Sequence, residues 1–175
     1  MSGHNKWSKI KNKKAVTDAR KSKVFGKIVR LLTVEAKKAK GDISSPWLKT
    51  AIEKAKEVNM PRDIIERAIE KAKTDTSVME PITYEAYGPG GTALIIEVLT
   101  DNRNKAAAEA RHILSKNGYE LAAMGAATWA FEKIREGWSP KVTVPISDGD
   151  GSKLETLIND LEENDDVQDV YTNAE

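Results

Sequence analysis

The 175-residue chain contains no cysteine, which excludes disulfides, thiolate metal centres and cysteine nucleophiles. Histidine is almost as scarce, with His4 and His112 the only two, too few to suggest a zinc site. No apolar run approaches the ~20 residues of a membrane-spanning helix. The polar, basic start has no apolar segment behind it, so no secretory signal is expected. No Gly-rich P-loop occurs, and no Ser/His/Asp set or catalytic pair of carboxylates can be assembled. These absences predict a cytoplasmic protein that is not an enzyme, with no cofactor, no metal, no small-molecule substrate and no membrane partner. Hydrophobic residues at 39% and charged residues at 31% still describe an ordinary globular chain.

Net charge is also nearly absent, at +1, but only because two large imbalances cancel. Residues 1–76 hold 20 Lys/Arg against 9 Asp/Glu, a net +11, and residues 77–175 hold 8 against 18, a net −10. A split of this size predicts two domains, 1–76 and 77–175, with different tasks. The basic part opens MSGHNKWSKIKNKK. Lysines that neutralise phosphates release condensed counterions, which gives strong, salt-sensitive and largely sequence-independent binding. Lys6, Lys9, Lys11, Lys13, Lys14, Arg20, Lys21, Lys23, Lys27 and Arg30 are therefore candidate nucleic-acid contacts. Trp7, set among them, fits either of two roles, stacking on an unpaired base or plugging a helical core.

Periodicity supplies the fold. Val24, Phe25, Ile28, Leu32, Ala36 and Ala39 recur at helical spacing up to Gly41. Ser45-Pro46 starts a second helix with Leu48, Ala51, Ile52 and Ala55, and Pro61 a third with Ile64, Ile65, Ala68, Ile69 and Ala72. Three short amphipathic helices predict a small basic bundle. Beyond the polar linker TDTSVMEP the period shortens: residues 82–87 and 92–99 read as strands around the turn 88–91. A helix after Asp101-Asn102, strands at 127–131 and 141–146, a helix through Leu154, Leu157, Ile158 and Leu161, and a last strand at 167–171 complete the pattern. The class is α+β: a basic helical bundle, then a ferredoxin-like split βαβ domain with an extra N-terminal hairpin strand.

Gly88, Pro89, Gly90 and Gly91 superficially match a phosphate-binding loop, but a strand follows where that motif needs a helix. A tight hairpin turn is the preferred reading, with exposed amides for a partner as a possible second surface. Asp101 to Asn104 is most simply a helix cap. The final 30 residues carry ten acids and a single lysine, Lys153, consistent with a solvated face or with contact to something basic.

Several stretches together resemble the YebC family: MSGHNKWSKIKNKK, Asn59 to Asp63, Tyr84 to Gly91, Thr100 to Asn104 and Asp165 to Tyr171. Members of that family are described as bacterial transcriptional regulators and as translational activators. The resemblance implies a non-enzymatic nucleic-acid-binding protein whose contacts include His4, Lys6, Trp7, Lys11, Lys14, Lys21, Lys27 and Arg30. Ribosomal RNA is the favoured target, DNA the alternative, and a monomer the favoured state. One departure is evident. The family usually carries a third domain where this chain has only the short link 133–140.

Overall fold

A computed structural model describes residues 18–135 and 137–175, and the described chain divides between residues 79 and 80 into two compact units. The first is helical, with α1 (Asp18–Lys38), α2 (Pro46–Glu57) and α3 (Arg62–Lys71). α1 ends where Lys40 and Gly41 turn left-handed (φ 52° and 79°), so that the Gly41 N–H donates to the Ala36 carbonyl at 2.9 Å. The bond occupies one of the carbonyls that every helix end leaves open. α2 closes in the same way: Asn59 takes φ 56°, and the Met60 N–H donates to the Ala55 carbonyl at 2.9 Å. Asparagine tolerates that conformation better than other residues with a Cβ. At the start of α2, Ser45 precedes Pro46 but makes no side-chain capping bond; proline's preset φ is what favours the start.

Leu32 and Ala36 from α1, Leu48, Ala51 and Ala55 from α2, and Ile65, Ala68 and Ala72 at α3 form one buried cluster, closed by Met60. The alanines let the three axes approach closely, and Phe25, Ile28 and Ile52 fill the margins. Gly26 sits inside α1 without turning or ending it, at a cost of about 1 kcal/mol relative to alanine.

The second unit holds β1 (Glu80–Tyr87), β2 (Ala93–Thr100), α4 (Arg103–Lys116), β3 (Leu121–Ala122), β4 (Phe131–Ile134), β5 (Gly137–Pro140), α5 (Asp148–Glu162) and β6 (Val167–Thr172). Four strands make an antiparallel sheet in the order β3-β1-β2-β6, and β4 and β5 pair as a separate hairpin. β2, α4 and β3 form a split βαβ around β1, and the α+β class expected from the sequence, helices with an antiparallel sheet, is the class observed. Asn102 caps α4 by accepting from the Lys105 N–H at 3.0 Å, and Ser147 caps α5 by accepting from the Asp150 N–H at 3.1 Å.

β2 is covered on both faces. Leu94, Ile96 and Val98 pack beneath α4 and α5 with Leu114, Leu154, Leu157 and Leu161. Ala93 and Ile95, on the opposite face, pack with Ala127, Ala130 and Phe131, flanked by Trp138 of the hairpin and Tyr171. Burial on both sides accounts for the unbroken run ALIIEVL, which a one-sided strand would interrupt with alternating polar residues. Its single charge, Glu97, faces the hairpin. It accepts from the Trp138 indole N–H at 2.5 Å and the Thr83 hydroxyl at 3.1 Å, and pairs with the Lys133 ammonium at 3.4 Å. That ammonium also lies 4.4 Å over the Trp138 ring. At the hairpin turn Gly137 (φ 137°) passes so close to the Tyr171 hydroxyl that no Cβ would fit.

Two expected strands form differently. Residues 127–131 read as a strand, but Thr128–Ala130 is a single 3-10 turn and the strand begins at Phe131. The cause lies 40 residues upstream in Glu85, which is only 4% exposed. One of its carboxylate oxygens accepts from the Gly125 N–H at 2.6 Å, and the other from the N–H groups of Ala127 at 2.9 Å and Thr128 at 2.7 Å. Gathering three amides around one carboxylate curls the backbone. Residues 141–146 also read as a strand, yet only Val144 bridges, to Ala174, and β5 comes earlier. Pro145 has no N–H to give a ladder, and the Val142 carbonyl is taken by the Asn173 side-chain amide at 2.9 Å.

Burial pushes the Glu85 pKa up, but the three backbone donors and the Thr128 hydroxyl outweigh it and hold the carboxyl below the ordinary glutamate value. The stabilisation is therefore complete above about pH 4.3 and is lost as pH falls through the folded-state value. Glu85→Ala is expected to cost about 3 kcal/mol, since hydrogen bonds to a charged group contribute about 1.5–3 kcal/mol. Protection of the Gly125, Ala127 and Thr128 amides against hydrogen exchange, relative to the free-peptide rate at the same pH, should fall in the variant, and in the unaltered protein as acid protonates Glu85. Unchanged protection at these amides would contradict the clamp.

Candidate nucleic-acid interface

The candidate contacts begin on α1, since His4, Lys6, Trp7, Lys9, Lys11, Lys13 and Lys14 lie outside the described residues. Arg20 belongs to α1 by its backbone, but its side chain is also outside the described set. The remaining four are Lys21, Lys23, Lys27 and Arg30. At 3.6 residues per turn, Lys23, Lys27 and Arg30 fall in one sector of the helix, opposite the buried Leu32 and Ala36. Lys21 falls outside that sector, at the exposed start of the helix.

Lys37 extends the same sector one helical stretch further. Its ammonium donates to the Ser77 carbonyl at 2.5 Å and lies 3.5 Å from Asp75. Asp75 in turn accepts from the backbone N–H and the hydroxyl of Ser77, both at 2.9 Å. Those two bonds lead in holding its pKa below the ordinary aspartate value; burial opposes them, and Lys37 adds to them. The sequence reading stopped at Arg30, although the same spacing rule reaches Lys37.

α3 is differently employed. Arg62 pairs with Glu66 at 2.6 Å, and Arg67 with Asp63, each one turn along the helix. Both pairs are on the exposed surface, where such ion pairs contribute little. Trp47, also passed over in the sequence, is 65% exposed in the first turn of α2. Its signal was available: it falls outside the stripe made by Leu48, Ala51 and Ala55.

The turn proposed as a second surface is half occupied by the protein itself. Gly88 and Pro89 are buried, while Gly90 and Gly91 are exposed. Gly90 takes φ 69°, and a Cβ there would come within 2.7 Å of Ile146 Cγ2. The Gly88 N–H donates across the turn to the Thr92 carbonyl at 2.8 Å. Glycine at these places is accounted for by the fold. Among the described residues, no group of His, Asp or Glu is arranged to hold a metal ion, and no helix is long and apolar enough to cross a membrane.

Comparison with known proteins supplies the context. Residues 5–75 match the profile of the TACO1/YebC protein N-terminal domain. Residues 79–136 and 133–174 match that of the TACO1/YebC second and third domain, in two pieces that meet at the β4–β5 turn. A probable transcriptional regulatory protein of Petrotoga mobilis is 46% identical over 184 residues, covering 100% of this chain and 71% of the relative. Another, of Pseudothermotoga lettingae, is 38% identical over 238 residues, covering 100% of this chain and 94% of the relative. That longer alignment leaves about 63 positions of the relative without a counterpart here. Among solved structures, a conserved hypothetical protein of Aquifex aeolicus aligns with a TM-score of 0.78 at 30% identity, over 90% of this chain and 91% of the other.

Replacing Lys23, Lys27 and Arg30 together with alanine is expected to lower the slope of log affinity against log salt by about 2–3 for a nucleic-acid probe, at 0.7–0.9 per phosphate contact. Because the three side chains are half-buried, the melting temperature is followed alongside, and the salt slope is compared at a temperature where the variant is folded. A salt slope equal to that of the unaltered protein would remove this face of α1 from the interface.

Proposed function

The chain belongs to the TACO1/YebC family, and on that premise we propose that it is a regulatory factor that supports translation by binding ribosomal RNA through its basic helical unit. The observation that carries this reading is the partition of charge. Residues 1–76 hold net +11 while the rest of the chain holds net −10, and on α1 the cations Lys23, Lys27 and Arg30 share one sector. Lysines spaced along a helix track phosphates and carry no sequence code of their own. Double-stranded and structured RNA is recognised largely in that manner, by shape and backbone. Localisation to the cytoplasm accompanies this proposal.

A second reading, a DNA-binding transcriptional regulator using the same surface, is favoured by the relatives, each named a probable transcriptional regulatory protein. Both readings predict steep salt dependence, so affinity alone does not separate them. Sedimentation with ribosomes at physiological salt does. Co-sedimentation that is lost on replacing Lys23, Lys27 and Arg30 is the expected result. Absence from the ribosome, together with tight binding to one defined DNA sequence, would decide for the second reading.

A further inference from the structure

Gly26 is a helical glycine that packing does not explain. It is exposed inside α1, and a Cβ built on it meets nothing within 4 Å among the described residues. Alanine would fit and would favour the helix. Gly41, which ends the same helix at φ 79°, has an evident reason of its own. The reason for Gly26 has to be sought outside the described residues.

The open side of Gly26 faces a cavity of about 230 Å³. Three cations line it, Arg30, Lys37 and Lys71, against one carboxylate, Asp75. Lys37 and Asp75 hold each other in the wall through the contacts already described. Lys71 is exposed and carries no ion pair among the described residues. Val29, a half-buried residue of α1, supplies apolar lining. Such a groove rejects cations and suits an anion carried on a slender, partly apolar chain. The absent side chain at Gly26 lets that chain come up to the helix backbone, a recognised use of glycine.

We infer that this groove seats the sugar–phosphate backbone of a nucleic-acid strand, with a phosphate held by Lys71 and the strand lying against α1 at Gly26. The inference rests on the nucleic-acid reading above and adds to it a site, with Gly26 as a residue that sets how near the strand can come. The charge on Lys71 and the space at Gly26 act independently, so each can be removed alone.

The test uses the full chain with a fluorescein-labelled RNA hairpin and a DNA duplex of matching sequence as probes. Gly26→Ala should raise the melting temperature by about 4 °C, as a stabilised helix does, and yet weaken binding on the order of tenfold for whichever probe the unaltered protein prefers. Lys71→Ala should leave the melting temperature in place and lower the salt slope by about 0.7–0.9, the share of one phosphate. A glycine with only a structural role could not improve stability while damaging binding. If the unaltered protein binds a probe and Gly26→Ala binds it equally well, the groove is not the seat, and the wider reading stands. If the unaltered protein binds neither probe, both fall together.

Discussion

Everything in the acidic unit follows from the need to cover β2 twice. A strand reading ALIIEVL cannot leave either face in water, because each fully buried leucine or isoleucine is worth about 1.5–3 kcal/mol over its exposed state. α4 and α5 cover one face with leucines. The other is covered by a hairpin of only eight strand residues, too small to hold itself down by area alone. Polar contacts make up the difference. Glu97 gathers the Trp138 indole, the Thr83 hydroxyl and the Lys133 ammonium. Asn173 is 1% exposed and ties the start of β2 to the segment after the hairpin, accepting from the Ala93 N–H at 2.7 Å and donating to the Val142 carbonyl. Burial first, and the carboxylates of Asp169 and Glu97 after it, hold the Tyr171 hydroxyl in its protonated form far above the ordinary range, so the group under the hairpin stays neutral.

The helical unit is organised by a different constraint. Its core is rich in alanine, which permits close helix contact but leaves little apolar area to lose to solvent. On α1 the cations Lys23, Lys27 and Arg30 stand on the sector opposite Leu32 and Ala36. Like charges at this spacing destabilise a helix slightly. Here they stand beside an unforced glycine on the same element.

What the sequence disclosed divides along the range of the interactions. The three helices, the β1–β2 hairpin and the last helix and strand were legible because their signals are local: Ser45-Pro46, Gly41, Asn102, and apolar residues at period 3.6 or 2. The misread segments are those set by distant partners. Residues 127–131 alternate like a strand, and nothing within them announces that Glu85 will collect their amides. Residues 141–146 look like a strand until Asn173 claims the Val142 carbonyl. For the candidate interface, the sector of Lys23, Lys27 and Arg30 was readable from spacing. Lys71 and Asp75 were not, because only tertiary packing brings the end of α3 and the segment after it alongside α1. That no described residue comes within 4 Å of a Cβ at Gly26 is visible only in three dimensions.

The β4–β5 turn, where Ile134 and Gly137 stand opposite each other in register, makes the chain's exit and re-entry points neighbours, about 5 Å apart as paired strand residues are. Such a junction is indifferent to what hangs from it. Because paired strand ends lie so close, extra chain entering and leaving there need not break the β4–β5 ladder. The sheet below, pinned by Gly137 lying flat on Tyr171, has no means of registering the difference.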